Sequence, residues 1–291
     1  MSLVESYIEL SRVRYPVGPL ICFWPLAWSY TMSAFTLSTP FPVYVVDLIH
    51  GLATIIIMHN AGCIWNDVLD RELDRQVERT KHRPIADRRV SVPGALAFLY
   101  VHLVIYLLLK QHSSNMSWML GVFAAFPLVG LYPLMKRITY WPQAWLGVTI
   151  HLNILIAWSE WFPISTAPLT LMFGCCWWTI FYDTMYACQD RRDDLKAGAK
   201  STALLFGANV KAALICCASI FVGCLAAAGF LNGHGIPFYC IAVVGATIHL
   251  AVQVKTLNVD DHQSCVTMFE SNAWSLGAVV WVGLLTDYML A

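Results

Sequence analysis

Charge is what this chain has least of. Only 12% of its 291 residues are Asp, Glu, Lys or Arg, about half the roughly 25% of an ordinary soluble domain. The 18 basic and 18 acidic residues cancel, so no overall field recruits a polyanion. C-x-x-C pairs are also missing: the ten cysteines are scattered, mostly inside apolar runs, and read as small apolar fillers. The first sixteen residues carry Glu5, Glu9, Arg12 and Arg14 and resemble neither a signal peptide nor an Arg/Ser-rich transit peptide. The first apolar run is therefore expected to act as its own membrane anchor. What is present in excess is apolar: 58% of residues, with 12 Trp, 12 Tyr and 14 Phe, and a mean hydropathy of +0.60. That balance excludes a soluble enzyme, a disordered protein and a nucleic-acid binder, and points to a polytopic membrane protein.

A helix needs about 20 mostly apolar residues to cross a bilayer. Nine runs qualify, near residues 17–37, 43–65, 92–110, 116–135, 142–160, 167–187, 211–231, 236–254 and 273–290. In lipid they must be helices, because each segment has to satisfy its own backbone. The expected fold is all-α, a bundle of nine transmembrane helices spanning residues 1–291 as a single domain. With nine spans, the N-terminus and the loops after even-numbered spans share one side. Of the 18 Lys and Arg, Lys110 alone falls on the other side. Basic loops stay in the cytosol, so the charged face is expected to be cytosolic. The acids gather there too, except Asp47, Glu160 and Asp287. Basic residues alone report topology; acids and bases concentrated together suggest a site.

Two loops on that face are long and highly charged, near 66–91 and 188–210. The first opens Asn66-Asp67-Val68-Leu69-Asp70-Arg71-Glu72-Leu73-Asp74. Asp67, Asp70 and Asp74 stand at i, i+3 and i+7, one face of a helix. Around the second loop, Asp183, Tyr186, Asp190 and Asp194 repeat that spacing, with Asp183 deepest toward the membrane. Solvated helix ends with paired acids are the plain alternative for either row alone, and such pairs are worth only tenths of a kcal/mol. Two rows with the same spacing on one side favour a site. Stacked carboxylates need cations, and hard divalent ions prefer carboxylate oxygen; Mg²⁺ in particular takes one or two carboxylates plus substrate phosphate oxygens. Asp67, Asp70, Asp74, Asp190 and Asp194 are thus candidate Mg²⁺ ligands. Histidines do not accompany them at ligand spacing, which argues against zinc. Arg79, Lys81, Lys136, Arg137 and Lys200 are candidate clamps for a diphosphate.

Asn66-Asp67-x-x-Asp70-x-x-x-Asp74 resembles the N-D-x-x-D-x-x-x-D motif of the UbiA family of intramembrane prenyltransferases. Tyr182-Asp183 through Asp194 is similar to that family's second aspartate-rich motif. Arg79-Thr80-Lys81-His82-Arg83-Pro84-Ile85, Tyr132 to Arg137, Pro142 to Gly147 and Lys200-Ser201-Thr202 extend the likeness over most of residues 11–210. The resemblance implies a bundle around a central cavity, capped by the two polar loops. Both aspartate motifs would hold Mg²⁺ and an isoprenoid diphosphate, with Asn66 and Tyr186 among the substrate-binding residues. The tail would lie in the membrane and an aromatic acceptor beside it. Asp183 would position the acceptor hydroxyl or take its proton; a structural role remains its alternative. Likeness to fungal enzymes of meroterpenoid biosynthesis implies a farnesyl-sized donor and an aromatic polyketide or phenolic acid as acceptor. Together with the N-terminal sequence it implies an endoplasmic-reticulum membrane. No protein partner or nucleic acid is implied. Two departures bear on the acceptor: Arg14 stands where the family often has Asp, and His59 where Arg is frequent. Arg14 is accordingly expected to hold an acceptor carboxylate. A 4-hydroxybenzoate polyprenyltransferase and a membrane terpene cyclase share this pattern. A transporter would place its ionisable residues near mid-membrane.

The nine-span topology is tested by reporter tags at residues 80, 113 and 200. Tags at 80 and 200 should report one side and the tag at 113 the other. Finding 80 and 200 on opposite sides would overturn the architecture.

Overall fold

The computed structural model describes residues 2–291. Eleven helices follow in chain order. They are α1 (Leu3–Leu10), α2 (Val17–Leu37), α3 (Phe41–Asp74), α4 (Val92–Lys110) and α5 (Asn115–Ile138). Then come α6 (Pro142–Trp158), α7 (Thr166–Cys188), α8 (Arg191–Ala197), α9 (Thr202–Leu231), α10 (Ile236–Thr256) and α11 (His262–Leu290). No strand occurs among the described residues. Seven of these helices are long and apolar enough to cross a membrane: α2, α3, α4, α5, α9, α10 and α11. The other two expected spans fall on α6, with 17 residues, and α7, with 23. Both line the interior of the bundle, and α7 carries buried polar side chains such as Thr179 and Thr184, which lower its hydropathy.

Three long helices contain a single wide turn, at Ala124–Leu128, Tyr239–Val243 and Asn272–Leu276. The first includes Pro127, which lacks an N–H and so cannot continue the ordinary ladder. The centre is aromatic. Trp28 lies 5.3 Å from Trp178, which stacks at 5.7 Å on Phe221. Trp24 donates from Nε1 to the Ala273 carbonyl at 2.6 Å. Gly277 makes that approach possible, since a Cβ there would lie 2.0 Å from the Trp24 ring.

α3 determines where the charge goes. Its 34 residues make a rod about 51 Å long at 1.5 Å per residue, well beyond a hydrocarbon core of about 30 Å. The excess length carries Asn66 through Asp74 out of the apolar zone as continuous helix. The segment after it folds back in turns over that helix end. Thr80 Oγ1 donates to the Asp74 carbonyl at 3.1 Å, and Arg75 Nε to the Ala86 carbonyl at 2.7 Å. The second cap turns at Gly198, whose φ of 69° is easy only for glycine. It is tied to the end of α5 by the Lys200 N–H donating to the Lys136 carbonyl at 2.8 Å. On the opposite face Lys110 pairs with Glu160 at 3.0 Å and His234 with Asp287 at 2.8 Å. These few off-side charges are thus internal to the bundle rather than on its surface. All ten cysteines are free.

Candidate active site

Two connected cavities meet under the charged cap. A polar vestibule of about 250 Å³ is lined by Asp74, Asp190, Asp194, Arg79, Lys136 and Lys200 among others. Beneath it an apolar chamber of about 330 Å³ runs down between α2, α3, α5 and α6. Asn66, Arg83, Tyr132 and Asp183 line both. This four-residue collar is where a charged head group above would pass into a hydrocarbon tail below.

The acids of α3 are buried: Asp67 is 2% exposed, Asp70 0% and Asp74 4%. Each has a cation. Arg12 meets both oxygens of Asp67 at 3.0 and 2.7 Å. Arg83 Nη1 bridges Asp67 at 3.0 Å and Asp74 at 3.1 Å. Lys136 reaches Asp70 at 2.5 Å, and Arg137 does so at 3.3 Å. Opposite them, the Arg79 side chain grips Asp190 through Nε and Nη2, the shortest bond being 2.7 Å. Its guanidinium also donates to the Tyr186 hydroxyl at 3.3 Å and lies 5.2 Å from the centre of that ring. Arg79 therefore joins the first cap to the second. Asp194 sits one turn beyond Asp190, its N–H donating to the Asp190 carbonyl at 2.8 Å. Burial, reinforced by the Asp190 carboxylate, pushes Asp194 up to about 6 against the pull of Lys136 and Arg79. Asp183, at the collar, faces the Gln143 amide, whose oxygen accepts from the Thr202 N–H at 3.0 Å.

The structure sorts the residues expected from the sequence. Asn66, Asp74, Arg79, Lys136, Asp183, Tyr186, Asp190, Asp194 and Lys200 converge on the vestibule, and Asp67 on the top of the chamber. Asp70 lines neither cavity and lies under Lys136. Arg137 is half-exposed and anchors to the Leu69 carbonyl and Asp70. Lys81 turns away to Glu78 at 2.6 Å. Arg14 is exposed and outside both cavities. A left-handed residue, Arg12 with φ of 57°, reverses the chain there and sends the Arg12 side chain inward instead. The acceptor-holding position expected for Arg14 is corrected on that ground. Arg12 and Arg83 were not among the candidate site residues. Both lie in irregular turns, where helical spacing says nothing of direction. His59 lines the chamber, close enough to Gly18 that a Cβ there would meet its Nε2 at 2.3 Å.

No cluster of three or more His, Cys, Asp or Glu among the described residues forms a ready metal site. The donor set nevertheless fits Mg²⁺ of the kind that shares its shell with phosphate. It offers hard carboxylate oxygens on two facing elements, with cations already in place that a bound diphosphate would draw to itself.

The model of the UbiA prenyltransferase family matches residues 22–276. The chain belongs to the UbiA prenyltransferase family. It is 46% identical to the UbiA prenyltransferase claS of Ampulloclitocybe clavipes, over 100% of this chain and 93% of that one. It is 37% identical to the mitochondrial 4-hydroxybenzoate polyprenyltransferase of Drosophila melanogaster, over 100% of this chain and 73% of that one. Among solved structures, a UbiA homologue from Aeropyrum pernix superposes with a TM-score of 0.76 at 18% identity, covering 91% of this chain and 97% of that one. A UbiA homologue from Archaeoglobus fulgidus bound to GPP and Mg²⁺ superposes at 0.68 and 14% identity, covering 98% and 99%. This UbiA-family chain is therefore a membrane-embedded prenyltransferase with the family's helical fold.

The buried bridge yields a stability prediction. Arg83→Met leaves Asp74 without its cation and Asp67 with only Arg12. Removing one partner of a buried pair costs about 3–5 kcal/mol, so Tm in detergent should fall by many degrees. Arg79→Met, at a more exposed pair, should lower Tm much less. Equal losses would contradict the bridging role.

Proposed function

We propose that this prenyltransferase moves an isoprenyl group of about farnesyl size from its diphosphate to an aromatic polyketide or phenolic acid. The reaction would belong to secondary metabolism. The observation that carries the reading is the collar of Asn66, Arg83, Tyr132 and Asp183 between a charged vestibule and an apolar chamber. Head and tail of a prenyl diphosphate need those two environments, in that order, at one place. The 46% identity to claS over the whole chain supports the narrower choice of a fungal type of acceptor. Nine spans, with the N-terminus and both caps on the cytosolic side, complete the proposal; the lone off-side Lys110, paired and buried, supports it.

Asp74, Asp190 and Asp194, with Asp67 at the mouth of the chamber, would hold Mg²⁺; Asp70 stands behind them as the partner of Lys136. Bound there with the diphosphate, Mg²⁺ would neutralise charge on the leaving group. The protein's own side chains do the rest. Arg79, Arg83, Lys136 and Lys200 surround the vestibule and stabilise negative charge as the C–O bond breaks. The chamber wall, with Cys22, Leu26, Ile55 and Met58, excludes water that would quench an allylic cation. The electron-rich carbon of the phenol attacks C1 of the chain. Asp183, at the collar, is placed to hold the phenolic hydroxyl or to take the proton that the attacked ring carbon loses as aromaticity is restored. The 4-hydroxybenzoate polyprenyltransferases similar to this chain favour a second reading, in which the acceptor is 4-hydroxybenzoate and the chain longer.

Membranes containing the enzyme should form product from Mg²⁺, C10, C15 and C20 diphosphates and a panel of phenolic acids, best with C15. Asp190→Asn and Asp67→Asn should lower turnover about a thousandfold, several kcal/mol of leaving-group stabilisation; Asp190→Asn, at the more exposed pair, should do so while keeping a folded Tm. Full activity in EDTA or in Asp190→Asn would refute the metal-dependent reading. Preference for 4-hydroxybenzoate with chains beyond C20 would select the second reading.

A further inference from the structure

At its deep end the chamber reaches charge. Residues lining it on α3 run as one stripe from Asp67 to His50, a drop of about 26 Å at 1.5 Å per residue. For most of that depth the wall is apolar. At the bottom it meets Tyr30, Tyr106 and Lys110. Lys110 is 4% exposed, and its ammonium donates to Ser117 Oγ at 2.7 Å and Glu160 Oε1 at 3.0 Å. Glu160 is itself held by the Ser117 hydroxyl at 2.6 Å and the Ser114 N–H at 2.8 Å. One cluster thus ties the ends of α4, α5 and α6 together directly below the cavity.

We propose that the Lys110–Glu160 cluster is the floor of the tail chamber and sets the longest prenyl chain the enzyme accepts. The inference rests on the reading that the chamber holds the donor's tail. A hydrocarbon tip cannot displace this pair, because doing so would strip a buried ammonium and carboxylate of their partners with nothing polar to replace them. The tip therefore ends above Lys110. A saturated C–C bond of about 1.5 Å with a near-tetrahedral angle advances a chain by about 1.25 Å, or about 5 Å per isoprene unit. From Asp67 to the floor there is room for about five units. A farnesyl tail would end near Ile55 and Met58 and a C20 tail near Thr54, while C30 and longer chains would strike the floor. The same limit bears on the choice of donor class, since it admits short isoprenoids and rejects long polyprenyl chains.

The test combines variants with a label on the unaltered enzyme. Donors from C10 to C30 are compared at one acceptor concentration. Unaltered enzyme should lose turnover between C25 and C30 by tenfold or more, given that a single misfit methylene is worth about 10–200-fold. Thr54→Phe fills the lower chamber one turn above His50 and should move that break down to C20 or below. Lys110→Ala with Glu160→Gln removes the floor without orphaning a carboxylate and should abolish the break, so that C30 turns over about as fast as C25. Separately, a C20 diphosphate with a diazirine at its tip, bound to unaltered enzyme, should label peptides containing Thr54, Gly51 or Tyr30. Labelling of lipid or of α9 and α10, or an unchanged profile in either folded variant, would overturn the floor. If the variants do not fold, the label alone decides. Absence of transfer from every donor would instead refute the proposed function, and the label would still show where the tail lies.

Discussion

Three carboxylates stacked on one helix repel, and burying them makes the repulsion worse. Everything at the charged end of this molecule answers that constraint. α3 presents Asp67, Asp70 and Asp74 with at most 4% of any of them exposed. Arg12, Arg83, Lys136 and Arg137 come from three other stretches of chain to neutralise them. Those contacts dictate how the first cap folds back, where α5 ends and how the N-terminal turn reverses. Buried pairs of this kind add little net stability, but losing one member is expensive. The arrangement is therefore rigid and also responsive. A diphosphate carrying divalent metal offers these arginines and lysines another anion, and offers the acids another cation.

The second consequence is spatial separation of polarity. Because α3 outruns the membrane, its acids sit above the hydrocarbon zone while the same helix, lower down, walls the apolar chamber. One continuous rod thus places the charged vestibule and the apolar chamber in fixed register. Asp183 on α7 reaches the junction from the other side, and Arg79 locks the second cap to the first through Asp190 and Tyr186. The junction is apolar on the chamber side and charged on the vestibule side, the two environments that the proposed separation of an allylic group from diphosphate requires.

Much of this was legible in the residues. Apolar runs located the apolar part of each long helix, since length and hydropathy are local properties, but α3 continues past its run to Asp74, and α9 and α11 start well before theirs, at Thr202 and His262, where polar residues extend the helix. Asp67, Asp70 and Asp74 lie on one helix, where i, i+3 and i+7 fix a shared face; the second row crosses a break, with Asp183 and Tyr186 on α7, Asp190 in the turn after it and Asp194 on α8. Irregular turns were the difficulty. Lys81 and Arg83 are two residues apart, and only the fold shows that Arg83 points in and Lys81 out. Arg12 turns inward to Asp67 and Arg14 stays at the surface because of one left-handed residue, Arg12 itself. Asp70 keeps its face on the helix but is covered by Lys136, a contact between elements 66 positions apart that spacing does not reveal. The partnership of Lys110 with Glu160 is equally remote in sequence, so a charge that reads as a topology marker turns out to be an internal one.

Binding of a slowly reacting farnesyl diphosphate analogue, measured by calorimetry with Mg²⁺ and then with EDTA, tests the central claim most directly. A bare diphosphate entering the vestibule meets Asp74, Asp183, Asp190 and Asp194 as well as the cations. Metal must offset that repulsion, and even one such contact in a partly buried site is worth a few kcal/mol. The account predicts affinity at least tenfold higher with Mg²⁺ than without it. Equal affinity in EDTA would show that the arginines and lysines hold the diphosphate alone and that the two acidic rows serve only to pair with them.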